Sequence, residues 1–167
     1  MTQPVVIAVG SNLGDSRGAV LEAIALLRSR AAGDWRSSPL YKTAPVDCPP
    51  GSACFINAVV SFTPRADDSP LALLEWMLDV ERGKGRLPKR MTNEARVLDL
   101  DLIAYGDRVM RTSKLTLPHP RARLRRFVLE PLAEIMPWFV FPGDAATVVQ
   151  LLHNLSGTGT VERLTDS

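Results

Sequence analysis

The chain has 167 residues, 46% of them apolar, and a formal net charge of +2 from 20 basic and 18 acidic side chains. That length suits one domain with a sizeable core and is short for two. The apolar fraction excludes a disordered chain, and so small a charge excess does not by itself indicate a nucleic-acid binder. No run of about 18 apolar residues occurs, so no membrane span is expected. The N-terminus lacks a basic leader followed by a long apolar stretch, so a cytoplasmic protein is expected. Cys48 and Cys54 match no zinc or redox spacing and read as free thiols in a reducing compartment.

In chain order, Val5 to Val9 is a β-branched apolar run ending at Gly10 and predicts a buried strand. Asp15 or Ser16 can cap a helix whose stripe is Val20, Ile24 and Leu27. Trp35 to Thr43 reads as a second strand. Ala44 to Ala53, with three prolines and a glycine, reads as a loop. Phe55 to Phe62 is a third strand. Ser69 and Pro70 signal a helix start. Leu71, Leu74 and Leu78 form one stripe of that helix, with Leu73, Met77 and Val80 beside it. Gly83 to Ala95 is charged and aperiodic, a second long loop. Leu98 to Tyr105 is a fourth strand, Gly106-Asp107 a turn, and Leu115 to Leu117 a short strand.

Phe127 to Ile135 reads as a helix with Pro131 at its start or at a kink, and Ala145 to Leu155 as a last helix. The tail from Ser156 carries little signal. The order strand, helix, strand, strand, helix, strand predicts an α+β fold of the ferredoxin-like sandwich type, with extra C-terminal helices and a single domain over residues 1–167.

The chemistry centres on Leu98-Asp99-Leu100-Asp101-Leu102. On a strand, alternate side chains share a face, so the two aspartates project together about 7 Å apart at their backbones, and the leucines point into a core. Two adjacent carboxylates repel each other unless something positive sits between them. Magnesium takes one or two carboxylates together with phosphates and water, and is one solution. Ion pairing with Arg86 or Arg96 is another. His119, between Pro118 and Pro120, has an extended, fixed backbone; its imidazole can donate to a phosphate oxygen, take part in proton transfer, or cap a turn.

Basic side chains crowd two stretches, Lys84 to Arg96 and Lys114 to Arg126, and such clusters suit an anion. Arg86 and Arg96 flank the second long loop, and arginine forks match phosphate oxygens. Phe55 and Asn57 share a strand face, a pairing that suits a flat heteroaromatic ligand as well as an ordinary half-buried strand. Gly10-Ser11-Asn12-Leu13-Gly14 lacks the features of either phosphate-binding loop class; it reads as a segment that shapes the strand end and holds neighbouring loops. His153 lies in a helical pattern and reads as structural.

These segments together resemble the hydroxymethyl-dihydropterin pyrophosphokinase family from Val6 to about Pro142. The stations are Ala8 to Leu13, Tyr41-Lys42-Thr43, Phe55 to Val59, Glu81 to Arg86, Arg96 to Asp101, Leu117 to Pro120 and Arg125 to Glu134. Their order and spacing carry the resemblance. It implies a ferredoxin-like α+β fold, ATP as co-substrate, and two Mg2+ ions on Asp99 and Asp101. It implies pterin contacts from Thr43, Ala44, Val46, Phe55, Asn57 and Phe127, with Phe127 stacking on the ring.

The resemblance also implies catalytic roles for Arg86, Arg96 and His119. Its ATP-binding set is Leu74, Glu81, Arg86, Arg96, Leu102, Lys114, Leu115, Thr116, His119 and Arg125. Asn93-Glu94-Ala95 stands where many relatives carry Trp-Gly-Pro. The implied partners are the two small substrates, with neither nucleic acid nor membrane, and a monomer. A ferredoxin-like nucleic-acid-binding module and a divalent-metal phosphohydrolase are the rival readings. The first needs exposed aromatics on strand faces and no aspartate pair, and the second needs a positioned water and no pterin pocket.

Overall fold

Val5–Ser11 is buried along its whole length and forms an interior strand, β1, which explains why the sequence is apolar at every position from Val5 to Val9 and not at alternate ones. The computed structural model describes residues 4–44, 51, 53–85, 97–157 and 161–165. Among these described residues, eight strands and four α-helices follow the order β1 (Val5–Ser11), α1 (Ser16–Arg30), β2 (Gly33–Ser37), β3 (Tyr41–Thr43), β4 (Phe55–Thr63), α2 (Pro70–Gly83), β5 (Asp99–Tyr105), β6 (Met110–Arg111), β7 (Thr116–Leu117), α3 (Arg126–Ile135), α4 (Val148–Asn154) and β8 (Val161–Arg163).

The main sheet runs β5-β1-β4-β3-β8, with β2 also paired to β4, and all its pairings are antiparallel. If β2 and β3 are taken as one broken strand, this is the fourth-first-third-second order of a ferredoxin-like sandwich, as the sequence predicts.

The sheet separates two cores. Ile7, Val9, Phe62, Leu100 and Leu102 pack against Val20 and Leu27 of α1 and Leu73 and Met77 of α2. Val6, Ala8, Val59 and Ile103 pack on the other side against Val128, Leu129 and Leu132 of α3 and Val148 of α4. The predicted caps are present: Asp15 accepts from the Gly18 N–H at 3.1 Å, and Ser69 from the Ala72 N–H at 3.2 Å with Pro70 opening α2.

Several elements differ from the sequence reading. The second strand is two strands. Ser37 pairs with Val60 and Tyr41 with Asn57, so this side advances one residue more than β4 does, a bulge at Ser38-Pro39-Leu40. Pro39 has no N–H to offer the ladder, and beside it the Ser38 hydroxyl accepts from the Val59 N–H at 3.0 Å, the place a ladder carbonyl would take. The bulge switches faces: Trp35 stacks on Phe62 in the α1/α2 core, whereas Tyr41 and Thr43 lie in register with Asn57 and Phe55 on the α3 side.

The spine of α2 is Leu73, Met77 and Glu81; Leu71 is exposed, and Leu74 is only partly buried, so the predicted Leu71–Leu74–Leu78 stripe is a flank. Pro131 lies inside α3, buried, and not at its start. The last helix begins at a capping box of Thr147 and Gln150 and is shorter than Ala145 to Leu155. Val161–Arg163 is a strand where the sequence offers only a weak tail. Most of the two predicted long loops, including Val46, Cys48 and Arg86, lies outside the described residues, as does Arg96 beside the second loop.

Replacing Ser38 with alanine removes the acceptor for a buried N–H and should cost about 1–3 kcal/mol of unfolding free energy, read by urea denaturation. A change below about 0.5 kcal/mol, the level of a surface substitution, would mean that the hydroxyl does not carry the bulge.

Candidate active site

Gly10 is the pivot of the α3 side of the sheet. Its register partners are Asn57 on β4 and Asp99 on β5, so one row across three strands brings an amide and a carboxylate to either side of a residue without a side chain. A Cβ on Gly10 would stand 2.8 Å from Asn57 Oδ1 and 3.8 Å from the Phe55 ring. Asn57 is buried, and its Nδ2 donates to Thr43 Oγ1 at 2.6 Å, so the amide cannot simply swing away. Thr43 in turn pairs with Phe55, and Ala44 follows at the end of β3. The segment after β1 has the anchoring role predicted for it: Asn12 Nδ2 donates to the Ala53 carbonyl at 3.4 Å, tying the β1 end to the approach of β4.

The carboxylates face as their sequence spacing requires. Leu98, Leu100 and Leu102 are buried on the α1/α2 side, while Asp99 and Asp101 are part-exposed on the other and lie in register with Gly10 and Ala8. Arg125, the residue that opens α3, brings its Nη1 to 3.8 Å from Asp101 Oδ2 and its guanidinium 5.4 Å from the centre of the Phe127 ring. A register shift between Val6 and Ile7 leaves Ile103 as the extra residue on β5, and its carbonyl accepts from the His119 N–H at 2.8 Å. The bulges at Ser38-Pro39-Leu40 and at Ile103 therefore serve the same face.

His119 Nδ1 accepts from the Arg121 N–H at 3.2 Å. Burial, then Arg125, then Arg121 push its pKa down to about 4, with Asp99 acting the other way. At neutral pH the ring is uncharged. With Nδ1 occupied as an acceptor, the proton of the neutral ring sits on Nε2, which can donate. Burial first, and then a hydrogen bond to Glu134, raise the Tyr41 phenol well above its ordinary value, so it stays protonated and donates.

The structure thus gathers Thr43, Phe55, Asn57, Asp99, Asp101, His119, Arg125 and Phe127 around one sheet face. It does not bring the side chains of Leu74, Leu102 and Leu115 there; they pack into the α1/α2 core. Glu81 is buried in the last turn of α2. Lys114 and Thr116 are exposed in the β6–β7 hairpin. Gly10 and Tyr41 are the members the sequence reading did not single out. The signal for Gly10 was present: a glycine ending a β-branched run, where only a missing side chain admits the amide opposite.

Residues 6–137 match the 7,8-dihydro-6-hydroxymethylpterin-pyrophosphokinase family. The chain belongs to this family. It is 35% identical over 92% of its length to the 2-amino-4-hydroxy-6-hydroxymethyldihydropteridine pyrophosphokinase of Synechocystis, covering 76% of that protein. It is 33% identical to the enzyme of the same name from Methylorubrum extorquens, with 95% of this chain and 96% of that one aligned. In fold it resembles a Plasmodium falciparum HPPK-DHPS crystal structure, with a TM-score of 0.69 at 14% identity over 92% of this chain, and it spans 43% of that longer chain. The ferredoxin-like α+β expectation holds, and none of these matches supports a nucleic-acid-binding module.

Two outcomes test the site as built. Gly10→Ala should keep the fold and displace the Asn57 amide, visible as a shifted Asn57 side-chain resonance; an unmoved resonance would contradict the close approach. For His119 the folded pKa lies below the unfolded 6.5. As pH falls from about 6.5 to about 4, the unfolded chain takes up a proton that the folded one refuses, so stability drops across that window. In metal-free buffer, His119→Gln should lose less urea stability than the unmodified chain between pH 7 and pH 4. Parallel curves would contradict a buried neutral ring.

Proposed function

We infer that this chain transfers the terminal diphosphate of ATP to the hydroxymethyl group of 6-hydroxymethyl-7,8-dihydropterin, releasing AMP, in folate biosynthesis. The observation that carries this reading is the shared row Asn57–Gly10–Asp99, which sets an amide for a flat ring beside a carboxylate pair for charged phosphates, in a chain of this family. Membership of the family makes the chain a diphosphotransferase acting on a pterin.

The pterin lies over Gly10, where the missing Cβ leaves room. The Asn57 amide, held by Thr43, meets its polar edge, Thr43, Ala44 and Val46 offer backbone groups, and Phe127 and Phe55 stack on it. The triphosphate lies towards Asp99, Asp101, Arg125 and His119, with Lys114, Leu115 and Thr116 of the β6–β7 hairpin, Glu81, Leu74 and Leu102 as the rest of the nucleotide set; Arg86 and Arg96, outside the described residues, are its further phosphate partners. The side chains of Leu74, Leu102 and Leu115 pack into the α1/α2 core, so these three residues have only backbone groups to offer the nucleotide.

Asp99 and Asp101 suit Mg2+: the ion takes oxygen ligands and completes its shell with phosphates and water, so two carboxylates are enough, and among the described residues no group of three or more His, Cys, Asp or Glu forms a fuller cage. Two such ions, held by these aspartates, would neutralise triphosphate charge.

The reaction is an in-line displacement. The pterin hydroxymethyl oxygen bonds to the β-phosphorus, the bond from that phosphorus to the α-phosphate oxygen breaks, AMP leaves, and the hydroxyl proton is released. Catalysis of this kind is mostly positioning and charge stabilisation. Arg125, already 3.8 Å from Asp101, and the Nε2–H of neutral His119 stabilise the phosphate oxygens as charge redistributes.

A nucleic-acid module would need the aspartate face to accept a phosphate backbone, which these carboxylates repel. We place the enzyme in the cytoplasm as a monomer and as one domain. No helix among the described residues is long and apolar enough to cross a membrane.

Calorimetric titration with hydroxymethyl-dihydropterin and a non-hydrolysable ATP analogue should show both binding in the presence of magnesium; absence of pterin binding would remove the reading. Asp99→Asn and Asp101→Asn should each abolish turnover while the fold persists, and near-normal turnover would contradict the metal assignment. Phe127→Ala should weaken pterin by about 1–3 kcal/mol and leave ATP nearly untouched. Equal losses for both ligands would make Phe127 a core residue only.

A further inference from the structure

Strand β8, Val161–Arg163, lies beyond residue 137, where the family match ends, and yet it docks beside the pterin-side wall of the site. It pairs antiparallel with β3: Tyr41 with Arg163, Lys42 with Glu162 and Thr43 with Val161. The Leu164 N–H continues the ladder to the Leu40 carbonyl at 2.8 Å. Without β8, the three-residue β3 would be the edge of the sheet, held by β4 alone. Its conformation matters to the site because Thr43 Oγ1 holds the Asn57 amide at 2.6 Å.

Side chains reinforce the docking. Arg163 Nε donates to Glu134 Oε1 at 2.8 Å, and the hydroxyl of buried Tyr41 donates to the same oxygen. Glu134 belongs to α3, whose first turn carries Phe127. One carboxylate therefore ties β8, β3 and α3, the last two of which supply the two sides of the pterin pocket.

We propose that Arg163, through Glu134 and Tyr41, is a positioning residue for pterin binding: the C-terminal strand fixes β3 so that Thr43 presents Asn57 correctly. The inference rests on the pterin reading above. Nothing in it requires Arg163 to touch a substrate.

Arg163→Ala should raise the KM for the pterin by about ten-fold, the scale at which loss of an outer support acts. The KM for ATP should stay within about two-fold, and the Asn57 side-chain amide resonance should shift. Tyr41→Phe should do the same, and the double variant should be no worse than the poorer single one, because both act through Glu134. Glu162→Ala, on the other face of β8, should change none of these. An unmoved Asn57 resonance with an unchanged pterin KM, or an equal rise in both KM values, would overturn the proposal. If the unmodified chain formed no pterin diphosphate, the functional reading would fall, whereas the Asn57 resonance would still decide whether β8 positions that amide.

Discussion

The two-residue alternation of side chains along β5 is the constraint on which the site depends. Because Leu98, Leu100 and Leu102 fill the α1/α2 core, Asp99 and Asp101 must emerge together on the opposite face. Burial of three leucines holds the carboxylates side by side against their mutual repulsion, since slipping the strand by one residue would bury both charges and expose the apolar row. Stability thus enforces an arrangement that a nearby positive charge relieves, as Arg125 does at 3.8 Å from Asp101.

The remaining features complement that strand. Gly10 keeps the ground between Asn57 and Asp99 clear, and the bulge at Ser38-Pro39-Leu40 turns Tyr41 and Thr43 to the same side. The bulge at Ile103 gives its carbonyl to His119. Irregularities in a sheet commonly re-aim side chains at a site, and these two bulges do so. The neutral state of His119 follows from its neighbours: burial and two arginines outweigh one aspartate, so the ring adds nothing to the cationic crowding around it.

Much of this was legible in the sequence because period and capping are local signals. Leu98 to Leu102 states its own facing, and Asp15 and Ser69-Pro70 state where helices begin. The broken second strand was not legible, because a bulge leaves composition unchanged and depends on a serine hydroxyl replacing a ladder partner. Strand β8 was hidden for a similar reason: Val161-Glu162-Arg163 has little strand character of its own and is ordered by the free edge of β3. The stripe of α2 was misread because its buried spine ends in Glu81, which a count of apolar residues passes over. The leucines of the nucleotide set show the limit of resemblance, since matching positions fix a place in the fold and not the direction of a side chain.

Phosphorus NMR of one reaction mixture, containing the chain, magnesium, ATP and hydroxymethyl-dihydropterin, tests the central claim most directly. A carboxylate pair serving a diphosphate transfer predicts AMP and a pterin diphosphate appearing in equal amounts, with ATP stable when the pterin is left out. Formation of ADP or free phosphate in place of AMP would contradict it.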